Sequence, residues 1–193
     1  DYRYHGKDHG YFDVSTHNDN LPEVTGEFRV MIPGHFNYSN ALAAITVSAQ
    51  LKDDTSDFAQ GLKETKVPGR MEFLKNNAGM VACVDYAHNY LSLSESFKFM
   101  KHEYPDGRLI VVIGAAGGKA ESRRKDVGRA LSEYADVAIL TSEDNFFEDP
   151  HHIDETIKEH ITNPNVKVII NVDRVAAIKQ AFEMAKPGDA MFM

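Results

Sequence analysis

The residues able to do chemistry sit in a few polar segments set into otherwise apolar surroundings. The first is Gly34-His35-Phe36-Asn37-Tyr38-Ser39-Asn40, running into Ala41-Leu42-Ala43-Ala44. Asn37 and Asn40 stand three residues apart, so a helix beginning here puts both carboxamides on one face. Each offers donors and an acceptor, which reading a purine edge requires; the plainer alternative is that Asn37 caps the helix. The second segment is Val67-Pro68-Gly69-Arg70-Met71-Glu72. An arginine after a Pro-Gly turn can clamp a phosphate through a bidentate fork, or simply lie on the surface of a hinge. The third, Val84-Asp85-Tyr86-Ala87-His88-Asn89, places an acid and an imidazole at a strand end. Asp85 there can bond a ribose hydroxyl or help position a metal, and His88 can pack beside a base. The alternative is a capped helix start with a satisfied histidine.

Two later segments add charge. Residues 114–119 form a Gly-rich turn, but the spacing of a phosphate-binding P-loop is absent and Ala120 stands where a metal-binding hydroxyl would be. Arg123 and Arg124 follow in the first turn of a helix, where the dipole disfavours cations; that misfit points to an anionic ligand rather than a solvated face. The stretch Glu143-Asp144-Asn145-Phe146-Phe147-Glu148-Asp149-Pro150 gathers carboxylates suited to an ammonium group, with Glu148 and Asp149 capping the next helix as the alternative. His5, His9, His151 and His152 match no metal-site spacing and read as surface residues. No metal ligands are expected within this chain.

The elements that must position these groups follow from hydrophobic rhythm. Stretches 11–16 and 27–32 read as short strands, 40–51 as a helix, and 57–64 as a second helix with Ser56 as its N-cap. After the Pro68-Gly69 break, 71–74 and 80–84 read as strands around an Asn76-Asn77 turn. Helices over 91–104, 122–134, 153–161 and 174–185 then alternate with strands over 109–113, 137–140, 166–170 and 190–193. Strands separated by helices pair in parallel, and continuously apolar strands are covered on both faces. Residues 68–193 therefore read as a doubly wound, Rossmann-like α/β domain with a mainly parallel sheet. Residues 1–67 read as the tail of a preceding α/β domain. Ligands of such sheets gather at the carboxyl ends of the strands, and the loops after Val84, Ile113 and Leu140 are those ends.

Composition narrows the class. The 193 residues carry a net charge of −8, which argues against broad binding to nucleic acid or anionic lipid. No apolar run approaches the roughly 20 residues of a membrane span. Cys83 is the only cysteine; it reads as a buried strand residue and suits a reducing cytoplasm.

Taken together and in this order, the Gly-His-Phe-Asn-Tyr-Ser-Asn, Gly-Arg and Asp-Tyr-Ala-His segments resemble those of the Mur ligase family. Within it, the stretches at 119–128 and 143–150 are similar to the UDP-N-acetylmuramoyl-tripeptide synthetases, closest to the lysine-adding type. The resemblance implies an ATP- and magnesium-dependent, monomeric, cytoplasmic ligase of peptidoglycan synthesis. It joins a free amino acid to UDP-N-acetylmuramoyl-L-alanyl-D-glutamate through an acyl phosphate.

By that similarity Asn37 and Asn40 contact the adenine side of ATP. Arg70 and Asp85 approach its phosphates and ribose as the catalytic pair, and Tyr86 and His88 line the same pocket. Lys119 stands where relatives carry an arginine for the amino acid's carboxylate. Arg123, Arg124, Asp144, Asn145, Glu148 and Asp149 complete the amino-acid site. Phe146 and Phe147 replace the Pro-Arg of relatives that add meso-diaminopimelate, so L-lysine is favoured, with ornithine behind it. A hinge near 67–69 implies domain closure, with Asn37, Arg70 and Asp85 converging on one nucleotide cleft. The family's P-loop, magnesium-binding acids and modified lysine are expected upstream of residue 1, so this stretch is not expected to turn over alone. Two other readings stay open: a folylpolyglutamate-synthetase-like ligase, and a nucleotide-binding subunit without ligase activity.

Overall fold

The computed structural model describes residues 2–4, 10–15, 23–51, 56–74, 76–118 and 121–193. The chain divides into two compact units, Asp1–Met71 and Glu72–Met193.

The first unit is built on an antiparallel sheet, β1 (Tyr2–Tyr4), β2 (Gly10–Val14) and β3 (Gly26–Val30), in that spatial order. Helix α1 (Phe36–Leu51) buries Tyr38, Ala41, Ile45 and Ala49, a stripe at helical spacing. That stripe packs on Phe12, Phe28 and Val30, with the Phe12 ring 5.7 Å from Tyr38 and 5.8 Å from Phe28. Gly10 makes the fit possible, because a Cβ there would overlap the Tyr38 hydroxyl. Helix α1 begins four residues earlier than its small-residue run implies, so Asn37 lies inside the first turn rather than at a cap. Helix α2 (Phe58–Glu64) starts after Asp57, not Ser56. The Asp57 backbone is already helical (φ −81°, ψ −10°) and its carboxylate makes no capping bond, since a cap needs an extended residue to turn its side chain back onto the helix.

The second unit holds a six-stranded sheet: β4 (Glu72–Leu74), β5 (Val81–Val84), β6 (Leu109–Ile113), β7 (Val137–Leu140), β8 (Lys167–Ile170) and β9 (Ala190–Phe192). Its order is β4-β5-β9-β6-β7-β8. Only β4–β5 is antiparallel; the other ladders are parallel. This is the mainly parallel α/β fold expected from the apolar runs. Strands β6 and β7 are buried at every position, because helices cover both faces. Ala177 and Ala181 of α6 (Arg174–Met184) join Ile110, Val112, Ile139 and Met191 in one cluster. On the opposite face Phe97 of α3 (Tyr90–Glu103) meets Phe192 edge-on at 5.0 Å. Helices α4 (Ser122–Tyr134) and α5 (Pro150–Lys158) pack in series beside α3.

The amino edge of this sheet is pinned by charge. The Arg108 guanidinium pairs with Asp189 at 2.6 Å and donates to the Met184 carbonyl at 2.8 Å. The Asp189 carboxylate also accepts from the Arg108 and Lys186 amides. Burial alone would raise the Asp189 carboxyl, but Arg108 and these amides overcome it and hold it below the usual range. Asp136 likewise accepts from the Leu109 amide and the Lys101 ammonium, each at 2.7 Å.

Candidate functional site

At the other end of the same strands the polar residues are arranged differently. The carboxyl ends of β5, β6, β7 and β9 surround a cleft of about 150 Å³ in the second unit. Asp85, Tyr86, His88, Arg123, Glu143 and Arg174 are among the residues that line it. The geometry follows the winding. Asp85 and His88 lie in the connection between β5 and α3, and Arg123 sits on the first turn of α4 beyond β6. Glu143 follows β7, and Arg174 opens α6 after β8.

Asp85 is held from two directions. Its carboxylate accepts the Tyr86 amide at 2.8 Å and the Ser96 hydroxyl at 2.9 Å. His88 Nδ1 lies 2.8 Å from the Tyr86 carbonyl. A carbonyl only accepts, so Nδ1 carries the proton and Nε2 remains the acceptor of the neutral ring. The Tyr86 and His88 rings meet edge-on at 5.2 Å. Behind them Asn89 caps α3, its side chain accepting from Ser92 in a capping box. The capped-helix reading therefore applies to Asn89, and leaves Asp85, Tyr86 and His88 facing the cleft.

Arg123 and Arg124, adjacent in sequence, have separate fates. Arg124 is only 3% exposed and ion-pairs with Glu148 at 2.6 Å. Glu148 also accepts from the Gly118 amide at 3.0 Å. Arg124 first, and that amide second, lower the Glu148 carboxyl to about 2. Arg123, one residue earlier, turns to the cleft and makes no hydrogen bond or ion pair among the described residues. Helical register alone does not separate them: Arg124 is in register with buried Val127, Gly128 and Leu131, and Arg123 with buried Val127 and Ala130.

The loop that follows β7 is braced internally. The Gly117 amide donates to the Asp144 carbonyl, the Glu148 amide to the Asn145 carbonyl, and Asn145 Nδ2 to the Glu148 carbonyl. A Cβ at Gly117 would overlap the Asn145 carbonyl, which is why glycine stands where this loop crosses the Gly-rich turn. Asp149 caps α5 by accepting from the His151 amide at 3.0 Å, so the capping reading holds for Asp149 and not for Glu148. Phe146 takes a left-handed backbone (φ 49°), and the Phe147 ring stands fully in solvent. Asp144 is exposed at the loop's start. Lys119 lies outside the described residues.

In the first unit Asn37 and Asn40 do share a helix face. Asn40 Nδ2 donates to Asn37 Oδ1 at 3.0 Å, and Asn37 Nδ2 to the Pro33 carbonyl at 2.7 Å. The Arg70 amide closes the Pro68-Gly69 turn onto the Val67 carbonyl at 3.1 Å. Glu143 and Arg174 were not singled out by the sequence; both follow strands whose carboxyl ends were already marked as the ligand edge. His151 and His152 are exposed. Among the described residues no cluster of three or more His, Cys, Asp or Glu could hold a metal ion. Cys83 is fully buried, and burial first, then Asp85 and Glu72, push its thiol far up. No helix of the described residues is long and apolar enough to cross a membrane.

A doubly wound sheet with a charged cleft at its carboxyl edge defines a ligand-binding α/β domain. The chain belongs to the Mur ligase family: residues 69–193 match the Mur ligase, glutamate ligase domain. It is 45% identical over 166 residues to the UDP-N-acetylmuramoyl-L-alanyl-D-glutamate–L-lysine ligase of Enterococcus faecalis, covering 86% of this chain and 32% of that protein. It is 41% identical over 170 residues to the UDP-N-acetylmuramyl-tripeptide synthetase of Latilactobacillus sakei, covering 88% and 33%. Among solved structures it resembles a UDP-N-acetylmuramoyl-L-alanyl-D-glutamate–2,6-diaminopimelate ligase, with a TM-score of 0.61, 28% identity, and coverage of 87% of this chain and 34% of that one. The chain thus spans about a third of the length of the relatives it matches.

Proposed function

We propose that this chain is the later part of an ATP-dependent ligase that adds L-lysine to UDP-N-acetylmuramoyl-L-alanyl-D-glutamate in the cytoplasm. The reading takes residues 1–67 as the tail of the ATP-binding domain and 68–193 as the amino-acid-binding domain. ATP transfers its γ-phosphoryl group to a substrate carboxylate oxygen, releasing ADP. The neutral amine of the amino acid then attacks the acyl carbon, loses its proton, and expels phosphate to leave the amide.

Asn37 and Asn40 are assigned to the adenine, with Asp85 accepting from ribose hydroxyls. Arg70 stabilises charge on the transferred phosphoryl group. Tyr86 and His88 provide a ring platform beside them. Magnesium would neutralise phosphate charge in such a reaction; no cluster of three or more His, Cys, Asp or Glu among the described residues would hold it. Lys119 and Arg123 are assigned to the amino acid's carboxylate, and Asp144 to its ammonium. Arg124, Asn145, Glu148 and Asp149 serve the same site by fixing the loop that presents Asp144.

The observation that carries the lysine assignment is the cation-free rim of this loop. Phe146 and Phe147 are exposed on it beside the acids Glu143, Asp144 and Asp149, and buried Arg124 is neutralised by Glu148. A second carboxylate, as on diaminopimelate, would meet no cation there, whereas an ε-ammonium meets acid. The test is phosphate release by the full-length protein with ATP, UDP-muramoyl-dipeptide and each amino acid in turn. L-lysine should give the highest kcat/KM and meso-diaminopimelate the lowest; preference for diaminopimelate would reverse the assignment, and no amino-acid-dependent release would end the ligase reading.

A further inference from the structure

Three charged side chains face the cleft without being spent on the fold. Arg123 and Glu143 make no hydrogen bond or ion pair among the described residues; Arg174 makes only one long bond, Nη1 to the Ser142 carbonyl at 3.3 Å. Arg123 and Arg174 come from α4 and α6, which pack on opposite faces of the sheet, and Glu143 lies between them after β7. None of the three is buried, so water can reach each of them, and what joins them is their place in one cleft. The chain has acids and carbonyls enough to satisfy arginines elsewhere, as Arg108 and Arg124 demonstrate.

The shape of the charge is specific. Two guanidinium forks line the same cleft, which suits a carboxylate, and Glu143 in that lining suits an ammonium. The cleft's volume of about 150 Å³ is that of roughly five waters at about 30 Å³ each. That is below the roughly 300–1,000 Å³ of pockets that enclose larger ligands, and it has room for a single amino acid.

We infer that Arg174, with Arg123, holds the α-carboxylate of the acceptor amino acid, and that Glu143 holds its distal ammonium. This rests on the ligase reading above, and adds Arg174 to the cations at the carboxylate and Glu143 to Asp144 at the ammonium. Once the α-amine has lost its proton to become the nucleophile, an acceptor such as lysine keeps one negative and one positive charge, the complement of this wall. Arg174 then fixes where the amine sits relative to the acyl carbon, a positioning function.

The experiment compares L-lysine with two analogues in the full-length protein: 1,5-diaminopentane, which lacks the carboxylate, and L-norleucine, which lacks the distal amine. In Arg174→Gln, kcat/KM for lysine should fall about 10- to 100-fold more than that for diaminopentane, the worth of one hydrogen bond to a charged group. In Glu143→Gln the loss should fall on lysine and spare norleucine by a similar factor. KM for ATP should not follow either change. Equal losses on lysine and its analogues, or a rise confined to the KM for ATP, would overturn the assignment. If the wild-type protein ligates no amino acid, calorimetric titration with the same three compounds decides the clamp separately. Lysine binding that weakens selectively in the two variants keeps it, and binding that does not discriminate among the three removes it.

Discussion

The two edges of the six-stranded sheet use the same residue types to opposite ends. At the amino edge Arg108, Asp136 and Asp189 are committed to the fold: they bond amides, a carbonyl and a lysine, and Arg108 pairs with Asp189. At the carboxyl edge Arg123, Glu143 and Arg174 face a cleft with almost nothing to bind. The first arrangement fixes β6, β7 and β9 in register, and the second does nothing for the register of any strand. Charge that closes on itself serves the fold; charge held open by a rigid frame is available to something else. The difference lies in the partners, not in the residues.

The contrast can be broken by substitution. The largest effect is expected at the amino edge. Asp189→Ala leaves Arg108 and two amides without their acceptor, and should lower the unfolding free energy by about 3–5 kcal/mol in urea titration; a loss under 1 kcal/mol would mean that the edge is not held by this group. Next comes Asp154 on α5, which is wholly buried with neither oxygen partnered among the described residues. Burial raises its carboxyl to about 7, His151 opposing and Glu155 adding to the shift. The folded protein therefore binds this proton more tightly than the unfolded chain does. Its contribution is fully present below about pH 4 and is lost as pH rises to about 7. Asp154→Asn keeps the shape but cannot ionise, so it should flatten that decline and leave the variant more stable relative to wild type at about pH 7 than at about pH 4. Thermal melts at several pH values would show whether it does.

Glu148 works in the reverse sense. Its folded value is depressed to about 2, so its contribution is present above about pH 4.5 and disappears as pH falls towards 2. Arg124→Met should remove that part of the acid transition and speed amide exchange at Gly117 and Gly118, seen by hydrogen exchange. Unchanged protection there would detach the loop's order from the ion pair. The smallest effects belong to the open edge. Arg123→Gln and Glu143→Gln should leave stability within about 0.5 kcal/mol, even though neutralising Asp189 at the opposite edge is costly. A large loss from either would show that the charges are not open after all.

Most of the sheet was legible because β6 and β7 are apolar throughout and bounded by polar turns; their limits, and those of α4, match the structure residue for residue. Helix α5 begins three residues before its apolar rhythm does, because Pro150 at its first position and Asp149 as cap start it ahead of Ile153. The placement of β9 between β5 and β6 is a tertiary choice that no local pattern encodes. At the site, Asp85 and His88 stood out because an acid and an imidazole end an apolar strand. Arg174 did not, since an arginine after a capping Asp173 looks like any helix start; only the sheet's winding brings it beside Glu143.

The burial of Cys83 has a practical consequence. The chain's single thiol is sealed within β5 and kept protonated by its surroundings, so alkylating dyes should leave the native chain unmarked. A cysteine introduced at Phe147, in full solvent above the braced loop, would be the sole reactive handle on these residues. A fluorophore attached there would report on the loop with no competing thiol from these residues.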